Sequence, residues 1–316
     1  MKKKKNKIKI NEKIKFSNIN IYMSYKRGVN LFKKKPKKTK KQYCSPKNHN
    51  NKYSCFNKKS LLTIIKEWNK LNKDKIKYSE KNSVPKLWSK INIKMNKKCY
   101  GEWCWAQEEF IKNMKDDEIK NTFRPKTPKS WYKDNREWLS TIDIEKVLNQ
   151  YEDLYPDFQF IGAVPLDFDY KLSIGRCVID ELCNINIDDN LNKRKNRIGI
   201  VFNLDKHNES GSHWICMFID LYKDNIYYFD SYGDKPPKEV KVLSNRIIKQ
   251  GKDIGRKINY MENKLRHQYK TSECGTYCIN FIVSLLEGKS FESLTEKRLK
   301  DDIVNRKRDL FYAPSL

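Results

Sequence analysis

The sequence predicts an α+β fold: a central mixed β-sheet flanked by helices, preceded by an N-terminal helical region. Three observations predict it. Apolar residues recur at helical spacing in several segments before residue 156 and again after residue 237. Between them, short runs rich in β-branched and aromatic residues follow one another in series. These runs do not alternate regularly with helical segments, which argues against a doubly wound sheet.

The elements follow in chain order. Residues 1–58 lack sustained periodicity, and "KKKPKKTKK" (33–41) is the clearest stretch of disordered composition. Ser60 is a candidate N-cap for a helix that sets Leu61, Ile64, Ile65, Trp68 and Leu71 on one face. "VPKLWSKINIKM" (84–95) reads as a second helix, with Leu87, Trp88, Ile91 and Met95 together, and "WCWAQEEFIKNM" (103–114) as a third. Residues 59–122 therefore form a helical region. "FRPKTPKS" (123–130), with Pro125 and Pro128, is a linker, and 131–316 is the main domain. That domain opens with a helix over 136–155, capped at Ser140 or Thr141, with Ile144, Val147, Leu148 and Tyr151 inward. Strands follow over 158–164, 197–204, 213–221 and 225–231. Pro236 and Pro237 precede a helix over about 238–250, and 256–261 is one more strand. A buried helix over 274–288 ends at Gly288, and a last helix covers about 291–309.

Composition narrows the function. The chain has 316 residues, 38% of them hydrophobic, enough to bury a core. No apolar run approaches the roughly 18–20 residues that span a bilayer, and "MKKKKNKIKI" lacks the apolar stretch of a secretory signal. Net charge is +28, but residues 1–60 alone carry +20. Residues 1–58 are thus a candidate contact for nucleic acid or another polyanion. The Lys-, Asn- and Ile-rich composition of the whole chain equally suits an idle solvated tail. Nine cysteines without a secretory signal are expected to be mostly reduced. Cys44, His49 and Cys55 lack a fourth zinc ligand and a short Cys pair, which disfavours a zinc module.

One constellation carries chemistry. His213 opens a strand, and Asp230 lies 17 residues on, after a turn near 222–225. If paired residues sum to about 443, the two face each other at the open end of a hairpin. An aspartate there orients an imidazole and supports its charged form. Taken alone, Asp230 reads equally well as a turn residue of "DSYG". Cys274, with Ser272 as N-cap, opens an apolar helix whose N-terminal dipole and free N–H groups favour a thiolate. Gln268, six residues earlier, supplies an uncharged donor for an oxyanion beside the Cys274 backbone N–H. Gly275 permits close approach of a substrate backbone. Cys216 and Cys278 read as core thiols, and His207 sits in a polar loop. Base, orienting acid, oxyanion donor and nucleophile together point to nucleophilic hydrolysis.

The same residues carry a resemblance. His213-Trp214, Asp230-Ser231 and Gln268 before Cys274-Gly275, with "WLSTIDI" (138–144), resemble the SUMO-protease and adenovirus-protease group of cysteine peptidases over roughly 130–290. Within that group the chain looks most like the polyprotein-processing proteases of large cytoplasmic DNA viruses. "CSPKN" (44–48), "SLLTIIKEWN" (60–69), "GEWCW" (101–105), "QYEDLYPDFQFIGAVPLDFD" (150–169) and "IYYFDSYGDKPP" (226–237) carry that likeness. The resemblance implies the fold of that group, with His213, Asp230, Gln268 and Cys274 catalytic and no metal or cofactor. It also implies a narrow substrate tunnel that favours glycine at the cut, with Trp214 as a roof. The implied function is processing of viral structural polyproteins, in a virion or a cytoplasmic viral factory. Removal of SUMO or ubiquitin-like modifiers is the alternative protein substrate, and a non-enzymatic nucleic-acid-binding protein the alternative class.

Overall fold

Helix formation begins at Asn57, not Ser60, in the computed structural model, which describes residues 43–49, 51–96 and 99–315. The Asn57 side chain accepts from Ser60 N–H at 2.8 Å and caps α1 (Lys58–Leu71). That helix buries Leu61, Ile64, Ile65 and Trp68 as its spacing requires, whereas Leu71, in the last turn, is 66% exposed. Helix α2 (Val84–Met95) carries Pro85 in its first turn and buries Leu87, Ile91 and Met95.

The third expected helix is two short ones, α3 (Glu102–Trp105) and α4 (Glu109–Lys112), followed by α5 (Asp117–Lys120). Trp103 and Trp105 are both buried, and residues two apart point to opposite sides of a helix, so one long amphipathic face does not satisfy them. Cys44, Cys55, Phe56 and Phe123 share the core these helices enclose.

Two sequence expectations change here, and one lies outside the described residues. Residues 43–57 belong to the helical region and not to a tail, because Cys44, Cys55 and Phe56 lie in its core. The expected disorder of residues 1–42 falls outside the described residues. Six of the nine cysteines are paired, Cys44–Cys55, Cys99–Cys104 and Cys177–Cys183, with Cα–Cα distances of 5.3, 5.8 and 6.3 Å. Only Cys216, Cys274 and Cys278 remain as thiols, and the Cys44–Cys55 pair removes two of the zinc candidates.

The main domain opens with α6 (Thr141–Leu154), where Ser140 and Asp143 form a reciprocal capping box. A five-stranded sheet follows in the order β1 (Phe158–Pro165), β2 (Arg197–Asn203), β3 (Trp214–Asp220), β4 (Asn225–Phe229), β5 (Asn259–Glu262). The central three strands are antiparallel, and each outer pair is parallel. A parallel neighbour needs a crossover. Helices α7 (Asp180–Cys183) and α8 (Ile187–Asn192) lie in the first, and α9 (Lys238–Asp253) forms the second.

Helices cover both faces of the sheet. Trp214, Cys216, Phe218, Tyr227 and Phe229 share a core with α6 and α10 (Cys274–Leu286). Ile215, Met217, Ile219, Ile226 and Tyr228 share the other with Val240, Leu243 and Ile247 of α9. This explains why β3 is apolar without alternation: all seven of its residues are buried. The expected last helix breaks into α11 (Phe291–Thr295), α12 (Asp301–Arg306) and α13 (Arg308–Phe311). Between the first two, Arg298 donates to His267 O and Leu299 N–H to His267 Nδ1, which ties the chain to another loop. Among the described residues no helix is long and apolar enough to cross a membrane.

Candidate active site

Three chain ends converge on one point. His213 immediately precedes β3, Asp230 immediately follows β4, and Cys274 is the first residue of α10, which packs against β3. In the β3–β4 hairpin Cys216 pairs with Phe229 and Met217 with Tyr228, so paired positions sum to 445 and not 443. A shift of two preserves which face each side chain takes. It moves Tyr232 opposite His213 and leaves Asp230 on the diagonal, and both contacts form.

His213 Nε2 lies 2.7 Å from Asp230 Oδ1, with both residues buried. The Asp230 backbone is gripped by Asn263, whose Oδ1 accepts from Asp230 N–H at 2.8 Å and whose Nδ2 donates to Asp230 O at 2.7 Å. Asp230 Oδ1 also accepts from the Tyr232 N–H at 2.8 Å. With Nε2 committed to Asp230, Nδ1 is the nitrogen left for the Cys274 sulfur, and it makes no hydrogen bond among the described residues. Burial alone would lower the His213 pKa. The Asp230 hydrogen bond, together with the neighbouring Cys274, outweighs it and raises the pKa from 6.5 to about 9. The charged form of the imidazole is thus favoured between the Asp230 carboxylate and Cys274.

The Tyr232 ring stacks on His213, centroids 4.4 Å apart and planes 15° from parallel. Arg266 lies 5.1 Å from the Tyr232 ring centroid, and its Nε donates to Gln268 O at 2.8 Å. Gly233 completes this turn at φ +76°, where a Cβ would come within 2.8 Å of Lys264 O. A glycine is required there on both counts.

Gln268 is buried, and its amide is oriented by what surrounds it. Lys270 O, a pure acceptor, takes a hydrogen bond from Nε2 at 2.7 Å, so Oε1 is the end that accepts from Ser231 Oγ, also at 2.7 Å. One Nε2 hydrogen is used by Lys270, and an amide nitrogen carries two. The loop is fastened further by His267 and Gln268 N–H groups donating to Ser231 O, each at 2.8 Å.

At Cys274, the N-cap position falls on Glu273 and not Ser272, with no side-chain cap. Glu273 is fully buried and pairs with Arg136, whose other arm reaches Asp302. Cys274 is 1% exposed. Gly275 has a packing reason: a Cβ would sit 3.0 Å from Leu139 Cβ and 3.3 Å from Trp214 Cδ1. Trp214 is 3% exposed, and its Nε1 donates to Leu139 O at 2.9 Å. Both residues pack against Leu139 beside Cys274. Trp138, next to Leu139, is the neighbouring tryptophan that reaches solvent, at 39% exposure.

The other candidates separate from the centre. Cys278 is buried one turn deeper, and burial, reinforced by Cys216, pushes its thiol pKa well up. His207 pairs with Asp167 at 2.7 Å and stacks on Tyr170. His267 accepts from Leu299 N–H, and burial lowers its pKa. Among the described residues, no three His, Cys, Asp or Glu side chains are grouped to hold a metal ion. Sequence reasoning missed Tyr232, Asn263 and the Arg136–Glu273 pair. Of these only Tyr232 carried a signal, its place in "DSYG" beside Asp230.

Comparison with known proteins gives a consistent picture. Residues 184–314 match the family described as "Ulp1 protease family, C-terminal catalytic domain". A protein of Acanthamoeba polyphaga mimivirus named as a "putative thiol protease" is 33% identical over 290 residues, covering 85% of this chain and 92% of that protein. The SUMO-1 cysteine protease of African swine fever virus is 31% identical over 110 residues, covering 34% of this chain and 40% of that protein. The crystal structure of an African swine fever virus protease matches with a TM-score of 0.63 at 21% identity, over 86% of this chain and 96% of that one. At that identity the likeness speaks for the fold.

Proposed function

Because the chain belongs to the Ulp1 protease family of cysteine peptidases, we propose that it is an endopeptidase that cleaves viral structural polyproteins after glycine during virion maturation. One observation carries the chemistry: a buried imidazole held by Asp230 at 2.7 Å beside Cys274, the first residue of α10.

With the Cys274 proton held on His213, the thiolate attacks the scissile carbonyl carbon, forming a C–S bond as the carbonyl π pair moves to oxygen to give an oxyanion. The Cys274 backbone N–H and the Gln268 amide donate to that oxyanion. His213 gives its proton to the leaving amine, and the C–N bond breaks. Neutral His213 then takes a proton from water, which attacks the thioester and releases the acid product and the thiolate. Asp230 keeps the ring oriented throughout.

Glycine selectivity rests on access. Cys274 and His213 are 1% and 5% exposed, so a substrate residue bearing a side chain meets the wall before its carbonyl meets the sulfur. Exposed Trp138 is the surface over which the substrate chain enters. The named relatives are viral, which supports an infected-cell setting. The basic segment within residues 1–58, ahead of the core residues 43–57, contacts nucleic acid or another polyanion outside the catalytic step, residues 1–60 carrying a charge of +20.

The viral relative's name, SUMO-1 cysteine protease, favours a second reading, removal of a ubiquitin-like modifier. Cleavage of a peptide library with free flanking residues decides between them. Selective cutting after glycine in short peptides supports the endopeptidase. Turnover confined to intact modifier fusions supports deconjugation, and cutting without regard to glycine refutes the steric argument.

A further inference from the structure

A second charged feature lies away from Cys274. A cavity of about 560 Å³ is lined by α4 and α5, by residues 123–126 and by α6. Its charged lining is Lys112, Lys120, Arg124, Lys126 and Lys146 against a single carboxylate, Asp153. The whole chain has 67 basic and 39 acidic residues, and this cavity gathers five basic side chains with one acid.

Arg124 distinguishes this cleft from an ordinary solvated face. Its guanidinium is partly buried, and no carboxylate pairs with it among the described residues. Burial lowers its pKa, and the groups that support its charge are the Tyr151 and Tyr43 hydroxyls. Lys126 is pushed down by burial and then by Lys112 and Lys129, so the cations repel one another. Holding an arginine partly out of water without an acid costs free energy. The fold would recover it by admitting an anion, and a concave surface focuses the field of converging cations. A guanidinium fork with flanking ammonium groups matches phosphate oxygens.

We propose that this cleft binds a compact, multiply phosphorylated anion. A cavity of this volume suits a small ligand, and the net lining charge of +4 calls for several negative charges on it. The ligand would bridge the helical region, through Lys112 and Lys120, to α6 of the catalytic domain, through Lys146. Helix α6 also carries Ile144, which a Cβ at Gly275 would meet at 3.4 Å, so the ligand would brace the element behind the nucleophile.

Calorimetric titration of the full chain with inorganic tripolyphosphate, at fixed salt, tests this. Saturable binding is expected, weakened about tenfold or more by Lys112→Gln with Lys146→Gln, both exposed positions, and likewise by Arg124→Gln. Lys33→Gln with Lys34→Gln, an equal loss of charge in the N-terminal segment, should leave affinity within about twofold. Equal weakening by both pairs, no effect of the cleft pair, or binding of a single-stranded oligonucleotide but not tripolyphosphate would each overturn the proposal.

Discussion

Replacing Tyr232 by leucine should lower the pH at which the enzyme loses activity on the alkaline side. The ring covers one face of the His213 imidazolium at 4.4 Å, in a site from which water is largely excluded. A cation–π contact of this kind is worth about 1 to 2 kcal/mol when desolvated. One pKa unit corresponds to about 1.4 kcal/mol, so removing the ring should bring His213 down by about one unit from its value of about 9. The assay is kcat/KM against pH on a glycine-containing peptide, whose alkaline limb reports the thiol–imidazole pair in the free enzyme. The native limb should fall near pH 9, the Tyr232→Leu limb near pH 8, and Tyr232→Phe, which keeps the ring face, near the native value. The same shift links to stability. The folded pKa of His213 lies above its ordinary 6.5, so the pair's contribution is full below about pH 6.5 and is lost as pH rises through about 9. Tyr232→Leu should therefore destabilise the fold more at pH 6 than at pH 10 in urea unfolding. An unmoved alkaline limb in Tyr232→Leu, or an equal shift in Tyr232→Phe, would refute the reasoning.

The remaining expectations concern other parts of the chain. His213→Ala should abolish peptide turnover, and Asp230→Ala should be less damaging by roughly 10²-fold, since it orients a base without transferring the proton. His207→Ala should stay near native, and a dead His207 variant would contradict the assignment. Thiol titration of the unfolded, unreduced chain should count the three cysteines 216, 274 and 278, rising to nine after reduction; nine without reductant would dissolve the three pairs. Deleting residues 1–42 should leave peptide turnover unchanged, because no catalytic candidate lies there. It should also weaken polyanion binding, with log K falling by about 0.7 to 0.9 per lost contact for each decade of salt. Equal, salt-insensitive binding by both forms would remove the polyanion role.

How much of this was legible in the sequence differs from feature to feature. The strands were readable because β3 and β4 are short apolar runs bounded by turn residues, and their order along the chain is their order in the sheet. The two-residue error in the hairpin did little harm because an even slip keeps every side chain on its face. It did hide Tyr232, whose contact with His213 follows only from the true register. Long-range pairs left no local trace: Arg136 and Glu273 lie 137 positions apart, and Asn263 grips Asp230 from 33 residues away. The cysteine pairs were missed because redox setting was inferred from the absence of a signal sequence, while pairing depends on Cα separations that spacing alone does not supply. Trp214 and Gly275, adjacent to His213 and Cys274, have a packing task against Leu139 that spacing alone does not reveal.

The central claim is that Cys274, not another thiol, is the nucleophile. The direct measurement is cleavage of a glycine-containing peptide by Cys274→Ala and by Cys278→Ala, each checked for native circular dichroism. A folded Cys274→Ala protein with no detectable cleavage, beside a Cys278→Ala protein that still cuts, is the predicted result. Turnover surviving in Cys274→Ala would contradict it.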